Sequence, residues 1–318
     1  MARIVVALGG NAIIQAGQRG TAEEQQANVD RSCQLLADLI AQGHEVIITH
    51  GNGPQVGNLL LKNELARDVV PAVPLHWCVA QTQATIGFMI QQALGAALAQ
   101  RGISRIVAAL VTRTEVSADD PAWQNPTKPI GLFYPEERAR AIMAETGQTW
   151  RPQGARGWRR VVPSPEPIAI VDRPAIEALI GDGAIVVACG GGGVPVVRDP
   201  DGRYRGVEAV IDKDLAAALL AHELDADILL ILTDVPAVIL DYGTPNARPL
   251  HNVSASELAA YHAAGQFAAG SMGPKVEAAI RFSRSRPGRR AIIAALDDAV
   301  AAVAGQAGTH VTDTPSPH

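Results

Sequence analysis

Of the 27 basic residues in the chain, 23 are arginine and only four are lysine: Lys62, Lys128, Lys213 and Lys275. A sequence that uses arginine for routine surface charge keeps lysine where a compact ammonium has a task that the broad guanidinium fork does not fit. Lys62 sits in the polar run Lys62-Asn63-Glu64 and reads as ordinary helix surface. Lys213 lies between Asp212 and Asp214 at the start of a predicted helix. Lys275 closes Gly270-Ser271-Met272-Gly273-Pro274-Lys275, also at a helix start. A cation there opposes the helix dipole, so neither lysine helps its own helix. Both read instead as ligands for phosphate oxygens. Lys128, in Asn125-Pro126-Thr127-Lys128-Pro129-Ile130-Gly131, reads as part of a proline-stiffened loop. The alternative is that all three are exposed loop lysines. Of the two aspartates, one caps the helix. Asp214 is assigned to holding the ammonium groups in place and keeping them charged.

Glycine clusters follow three apolar strand patterns: Gly9-Gly10-Asn11, Gly51-Asn52-Gly53 and Gly190 to Gly193. In an open α/β sheet ligands bind at the carboxyl ends of the strands, and glycine there lets backbone N–H groups approach an anion. The alternative is three tight turns without a ligand. Neither GxxxxGK[ST] nor a GxGxxG opening a helix is present, and the protein-kinase motifs are absent, so a bound nucleotide needs another arrangement. His50 reads as structural beside its glycine turn, and the histidines show no metal spacing. Cys189 reads as a small buried residue, Arg159-Arg160 as solvated charge, and Asp234 as either a cap or a ligand residue.

The elements that would position these residues alternate strand, glycine turn and helix. Strands are expected at 4–8, 45–49, 105–111, 184–189, 228–232 and 291–294. Helices are expected at 21–42, 80–100, 214–224, 275–285 and 297–304, with capping boxes at Thr21/Glu24 and Ser254/Glu257. Strands 194–197 and 203–206 flank a turn and form a hairpin. This is α/β grammar with a mainly parallel sheet. Periodicity fails over 117–164, which holds six prolines and three of the four tryptophans. A structureless loop of that length is unusual in a compact domain. It reads as an inserted subdomain or lid with a helix near 135–146. Residues 1–311 form one domain, and 312–318 read as a disordered tail.

Composition narrows the function. A net charge of −5 argues against a general nucleic-acid binder. No apolar run reaches the length of a membrane span, and the N-terminus lacks a signal peptide. Three widely spaced cysteines fit reduced thiols in a cytoplasmic protein, with neither a disulfide scaffold nor a zinc site.

Taken in order, several segments resemble the carbamate kinases of the amino acid kinase family. They are 7–12, Thr49-His50-Gly51-Asn52-Gly53-Pro54-Gln55-Val56-Gly57, 125–131, Arg160-Val161-Val162-Pro163-Ser164-Pro165, 188–193, 208–214, Leu232-Thr233-Asp234-Val235, 270–275 and Gly308-Thr309-His310. They span residues 7 to 310. The second segment and the Lys128 segment are the most specific, and none departs from the family pattern.

The resemblance implies a three-layer αβα sandwich around a mainly parallel eight-stranded sheet, a small protruding subdomain and a homodimer. It implies ATP + carbamate ⇌ ADP + carbamoyl phosphate with Mg²⁺, run toward ATP in arginine breakdown (the arginine deiminase pathway). The N-terminal half would bind carbamate and the C-terminal half the nucleotide. Gly9, Gly10, Asn11, Gly51, Asn52, Gly53 and Gly191 would hold the small anion and the phosphoryl group. Lys128, Lys213 and Lys275 would neutralise charge, with Asp214 organising them. Thr233, Asp234, Val235, Tyr242, Met272, Gly273, Pro274 and Lys275 would take the nucleotide, and no residue is assigned as a metal ligand. Two rival readings are another kinase of the family, with a different acceptor, and a non-catalytic nucleotide sensor. The Lys128 segment and the retained lysines speak against them.

Overall fold

The computed structural model describes residues 1–313 except Ala269. The chain begins β1 (Arg3–Leu8), α1 (Ala22–Ala41), β2 (Glu45–His50), α2 (Gly53–Ala66), α3 (Leu75–Gln100), β3 (Val107–Ala109) and β4 (Arg113–Val116). It continues β5 (Lys128–Tyr134), α4 (Glu136–Thr146), β6 (Trp150–Pro152), β7 (Trp158–Val162), β8 (Pro167–Ile170), α5 (Arg173–Gly181), β9 (Ile185–Val187), β10 (Val194–Arg198) and β11 (Tyr204–Gly206). After α6 (Lys213–Glu223) come β12 (Ile228–Thr233), β13 (Val238–Leu240), β14 (Arg248–Leu250) and β15 (Asn252–Ser254). The described chain closes with α7 (Ala255–Ala263), α8 (Met272–Arg284), β16 (Arg290–Ala295), α9 (Ala299–Val303) and β17 (Thr309–Thr312).

The eight-stranded sheet has the order β15-β17-β16-β12-β1-β2-β9-β3, and only the β16–β17 pair is antiparallel. Its strands are apolar on both faces, the pattern of a parallel sheet covered on both sides. Along β1, Ile4, Val6 and Leu8 enter one core with α1, α3 and α9. Val5 and Ala7 enter the other, with α5, α6, α7 and α8. This two-residue alternation makes the three-layer αβα sandwich. A second sheet, β11-β10-β4-β8, leads to a third, β5-β7-β6, with α4 packed against it through Ala139, Ile142 and Trp150.

Both capping boxes form as read, Thr21 with Glu24 and Ser254 with Glu257. Three expectations are corrected. The long helix starts at Leu75, five residues early, because its first amide donates to Glu208 Oε1 at 2.9 Å. A cap supplied from 133 residues away leaves no local signal. The strand expected at 105–111 is only Val107–Ala109, since the chain leaves the sheet and pairs Arg113–Val116 with β10 and β8. Lys128 opens a strand, not a loop, pairing with Val162, while Pro129 pairs with Val161. Proline is tolerated there because β5 is an edge strand. Of the tail expected from residue 312, Thr312 closes β17 beside Arg290, and 314–318 lie outside the described residues.

Candidate active site

The carboxyl ends of the central strands carry the glycine turns. Gly9 ends β1 in close approach to β12, and a Cβ on it would lie 2.9 Å from the Leu232 carbonyl oxygen. Gly51 ends β2 against Gly10 and the Lys213 stem, whose Cδ would lie 3.5 Å from a Cβ. Gly190 to Gly193 follow β9 in a tight turn. Space decides the first two positions: a Cβ would reach within 2.3 Å of His50 Nε2 at Gly190 and 2.0 Å of Asn52 Nδ2 at Gly191, where φ is also +65°. Gly191→Ala should therefore lose about 2 kcal/mol or more of stability, the scale of an overpacked, strained site. Equilibrium urea unfolding checks it. An unchanged midpoint would mean the turn relaxes freely.

Buried polar groups fix this turn from the α3 side. Gln83 accepts from the Thr112 amide at 2.9 Å and its hydroxyl at 3.0 Å, and donates to its carbonyl at 3.1 Å. The Thr112 hydroxyl accepts from the Cys189 amide at 2.6 Å, and Thr49 donates to the Cys189 carbonyl at 2.9 Å. Asn52 donates to Thr82 on α3 at 2.9 Å. His50 is buried, and its Nδ1–H donates to the Gly51 carbonyl at 2.9 Å. Burial pulls its pKa down to about 4, so it is neutral near pH 7. Cys189 is buried, and burial pushes its thiol up to about 12, so it is not a thiolate nucleophile.

Lys128, Lys213 and Lys275 converge on two aspartates. Asp212 caps α6, its Oδ1 accepting from the Asp214 amide at 2.9 Å and the Leu215 amide at 3.4 Å. Asp214 is buried and bridges two ammonium groups, Lys213 at 2.5 Å and Lys275 at 2.9 Å. Lys128 reaches the other Asp212 oxygen at 2.6 Å. Burial works to raise the Asp214 pKa, but Lys213 and Lys275 outweigh it and hold the group at about 2. Burial also pulls Lys213 below the ordinary lysine range, with Asp214 acting against it and Lys275 with it. The carboxylate is what makes two largely buried ammonium groups side by side tolerable.

These groups line a cavity of about 250 Å³ that includes Gly10, Gly51, Asn52, Gly53, Gly191, Lys128, Lys213, Asp214, Pro274 and Lys275. Ser271 and Lys275 also line an adjoining, more apolar cleft of about 260 Å³, with Thr233, Asp234, Val235, Tyr242 and Met272. Gly9 and Asn11 face a third crevice of about 270 Å³ on the far side of Thr233 and Asp234. Gly273 lines none of the three. It is packed in the first turn of α8, where a Cβ would lie 3.1 Å from the Ala268 carbonyl oxygen. The Thr233 hydroxyl donates to Asp234 at 3.1 Å.

Sequence reasoning missed Ser271, which joins the two cavities, and the cleft residues Ala237, Ile239, Gln266 and Phe267. Ser271, Ala237, Ile239 and Phe267 are small or apolar groups with no chemical signature, and a lone Gln266 carries none either. A polar clamp between Gln266 and Asp241, at 2.9 and 3.1 Å, holds the loops at the Tyr242 rim. The expectation of solvated charge at Arg159-Arg160 is also corrected. Both are partly buried, and desolvation lowers both pKa values.

The first cavity presents three ammonium groups and backbone amides to anything that enters. Its carboxylates are already ion-paired, and among the described residues no histidine lines it or the cleft. No group of three His, Cys, Asp or Glu residues capable of holding a metal ion occurs among the described residues. Such a site stabilises an anion whose charge spreads during reaction, and supplies no free base.

The sequence signature of the amino acid kinase family matches residues 2–295. A carbamate kinase of Pyrococcus horikoshii is 51% identical over 312 residues, covering 98% of this chain and 99% of that one. Carbamate kinase 1 of Enterococcus faecium is 48% identical over 297 residues, covering 93% and 94%. Among solved structures, a carbamate kinase from Giardia lamblia bound to AMP-PNP matches with a TM-score of 0.91 at 42% identity, covering 98% of each chain. The chain belongs to the amino acid kinase family.

Proposed function

We propose that this protein is a carbamate kinase, transferring a phosphoryl group between ATP and carbamate. The observation that carries this reading is the convergence of Lys128, Lys213 and Lys275 on one glycine-walled cavity. The similarity to carbamate kinases over nearly the whole chain supports it. In the synthetic direction a carbamate oxygen attacks the γ-phosphorus. The new P–O bond forms as the bond to the ADP oxygen breaks. Carbamate is already an anion, so no proton moves and no general base is needed. What remains is in-line positioning and neutralisation of charge on the transferring phosphoryl.

In this reading Gly10, Asn52, Gly53 and Gly191 hold the acceptor and phosphoryl oxygens, Gly51 shapes the wall while its amide donates to the Leu8 carbonyl at 3.0 Å, and the ammonium groups sit where charge grows. Thr233, Asp234, Val235, Tyr242 and Met272 line the place for the nucleotide, with Pro274 and Lys275 between the two cavities. Gly9 and Asn11 act from the neighbouring turn, and Gly273 through packing. Mg²⁺ enters as part of the nucleotide substrate, its usual manner with phosphates. Asp234 at the cleft rim is the carboxylate placed to meet it, since Asp212 and Asp214 are held by lysines.

The cellular direction we infer is ATP formation from carbamoyl phosphate, in arginine catabolism, because an acyl phosphate is the stronger phosphoryl donor. The segment 117–164 acts as the inserted subdomain of a single domain, carrying Lys128 over the site. Three buried cysteines suit a reducing cytoplasm, and no helix among the described residues is long and apolar enough to cross a membrane.

A homodimer fits the exposed Trp77 and Phe88, which stand about three turns apart on one face of α3. Exposed Ile106 and Val111 flank β3 at the sheet edge beside them. Phe88→Glu should shift the sedimentation coefficient from dimer to monomer, and a wild-type monomer would refute the assembly.

The function is tested by ATP formation from ADP, Mg²⁺ and carbamoyl phosphate in a coupled assay. Turnover is expected. ADP binding by calorimetry without turnover would retain the nucleotide site and discard carbamate as the acceptor.

A further inference from the structure

We propose that Asp212 is a positioning residue for Lys128, a proposal that rests on the phosphoryl-transfer reading above. Its two carboxylate oxygens do separate jobs. Oδ1 caps α6, and Oδ2 accepts from Lys128 Nζ at 2.6 Å across 84 residues of sequence. Capping alone does not require a charge, since Ser, Thr or Asn cap about as well. The second oxygen is hydrogen-bonded to the lysine that arrives from β5, and the negative charge acts on that lysine at contact distance and, more weakly, on Lys213. A lysine ammonium has three donors, so one bound to Asp212 leaves two for a phosphoryl oxygen in the cavity that both residues line.

The backbone carries Lys128 to this contact by a close approach. Gly131, with φ +72°, lies against Gly57 of α2, where a Cβ would stand 3.1 Å from the Gly131 Cα. The helix that begins at the Gly53 turn thus supports the strand that begins at Lys128, and Asp212 anchors the strand's first residue to the start of α6. One carboxylate therefore joins the three-stranded sheet to the helix that opens with Lys213. Asp214 bridges the Lys213–Lys275 pair, and Asp212 holds the third cation by direct contact.

The test is a double-mutant cycle. Asp212→Asn keeps an oxygen to cap α6 and removes the charge that holds Lys128. It should lower kcat about tenfold, less than loss of a charge contact itself, with the ADP dissociation constant and Tm nearly unchanged. In a Lys128→Ala background the same change should have no further effect on kcat. Hydrogen exchange of backbone amides 128–134, measured without substrate, should speed up in Asp212→Asn. An undiminished loss of kcat in the Lys128→Ala background would place the effect of Asp212 outside its contact with Lys128 and overturn the proposal, as would unchanged exchange in the single variant. The exchange arm needs no turnover. Failure of the wild-type protein to use carbamoyl phosphate would thus be distinguishable from failure of the Asp212 contact.

Discussion

Lys213→Ala should lower kcat for ATP formation by ~10²-fold or more, while ADP affinity measured by calorimetry changes little. The magnitude is that of removing one preorganised charge contact from a water-poor site. Lys213 is buried, its stem lies against Gly51, and its ammonium sits on Asp214 at 2.5 Å. It is thus fixed before substrate arrives and costs no reorganisation during the reaction. The adjoining apolar cleft does not include Lys213, which is why nucleotide binding should persist. Lys213→Arg should not restore turnover. The guanidinium fork needs room that the contact between Gly51 and the Lys213 stem does not leave. Turnover near the wild-type value in either variant would remove Lys213 from the mechanism.

Asp214→Asn should be at least as damaging, and its pH profile should be diagnostic. In the native protein the Asp214 carboxylate offsets burial of both Lys213 and Lys275. With a neutral amide in its place, burial and mutual repulsion lower the Lys213 pKa further from a value already below the ordinary one. A lysine is charged only below its pKa. Activity of the variant should therefore fall at a lower pH than that of the native enzyme as pH rises, and coincident pH profiles would refute the coupling.

Stability should change in a linked way. The native Asp214 pKa of about 2 lies below the unfolded value of 3.8. The ionised group thus contributes about 2–3 kcal/mol above pH ~4, lost as pH falls toward ~2. Asp214→Asn should lack that acid-side loss, and should be about 3–5 kcal/mol less stable at neutral pH because two buried cations lose their partner. Urea unfolding across pH checks both. A variant with native stability at pH 7 would show that the lysines do not depend on Asp214.

How much could be read in the sequence differed by element. β1 and β12 were legible because a strand covered on both faces is a continuous apolar run. α1 and α7 were legible because their caps are local, at Thr21/Glu24 and Ser254/Glu257. The start of α3 was not, since Glu208 supplies its cap. The start of β5 is not legible because Pro129 looks like a loop residue until Val161 pairs with it from one side. In the site, the lysines were legible through their rarity, and Asp214 through its place beside Lys213. The pairing of Asp212 with Lys128 was not legible, because the two meet only when the three-stranded sheet folds back onto α6.

The sequence by itself determined the alternation of strands and helices with a mainly parallel sheet, the residues able to neutralise phosphate charge and the glycine turns beside them. These follow from local periodicity, local caps and residue chemistry, which are written in neighbouring positions. Only the tertiary structure decided which carboxylate serves which ammonium. It also showed that Gly190 and Gly191 are glycine because His50 and Asn52 fill the space beside them, and that Ser271 joins the two cavities. Those facts depend on distances between residues far apart in the chain, fixed only when both faces of the sheet are buried at once.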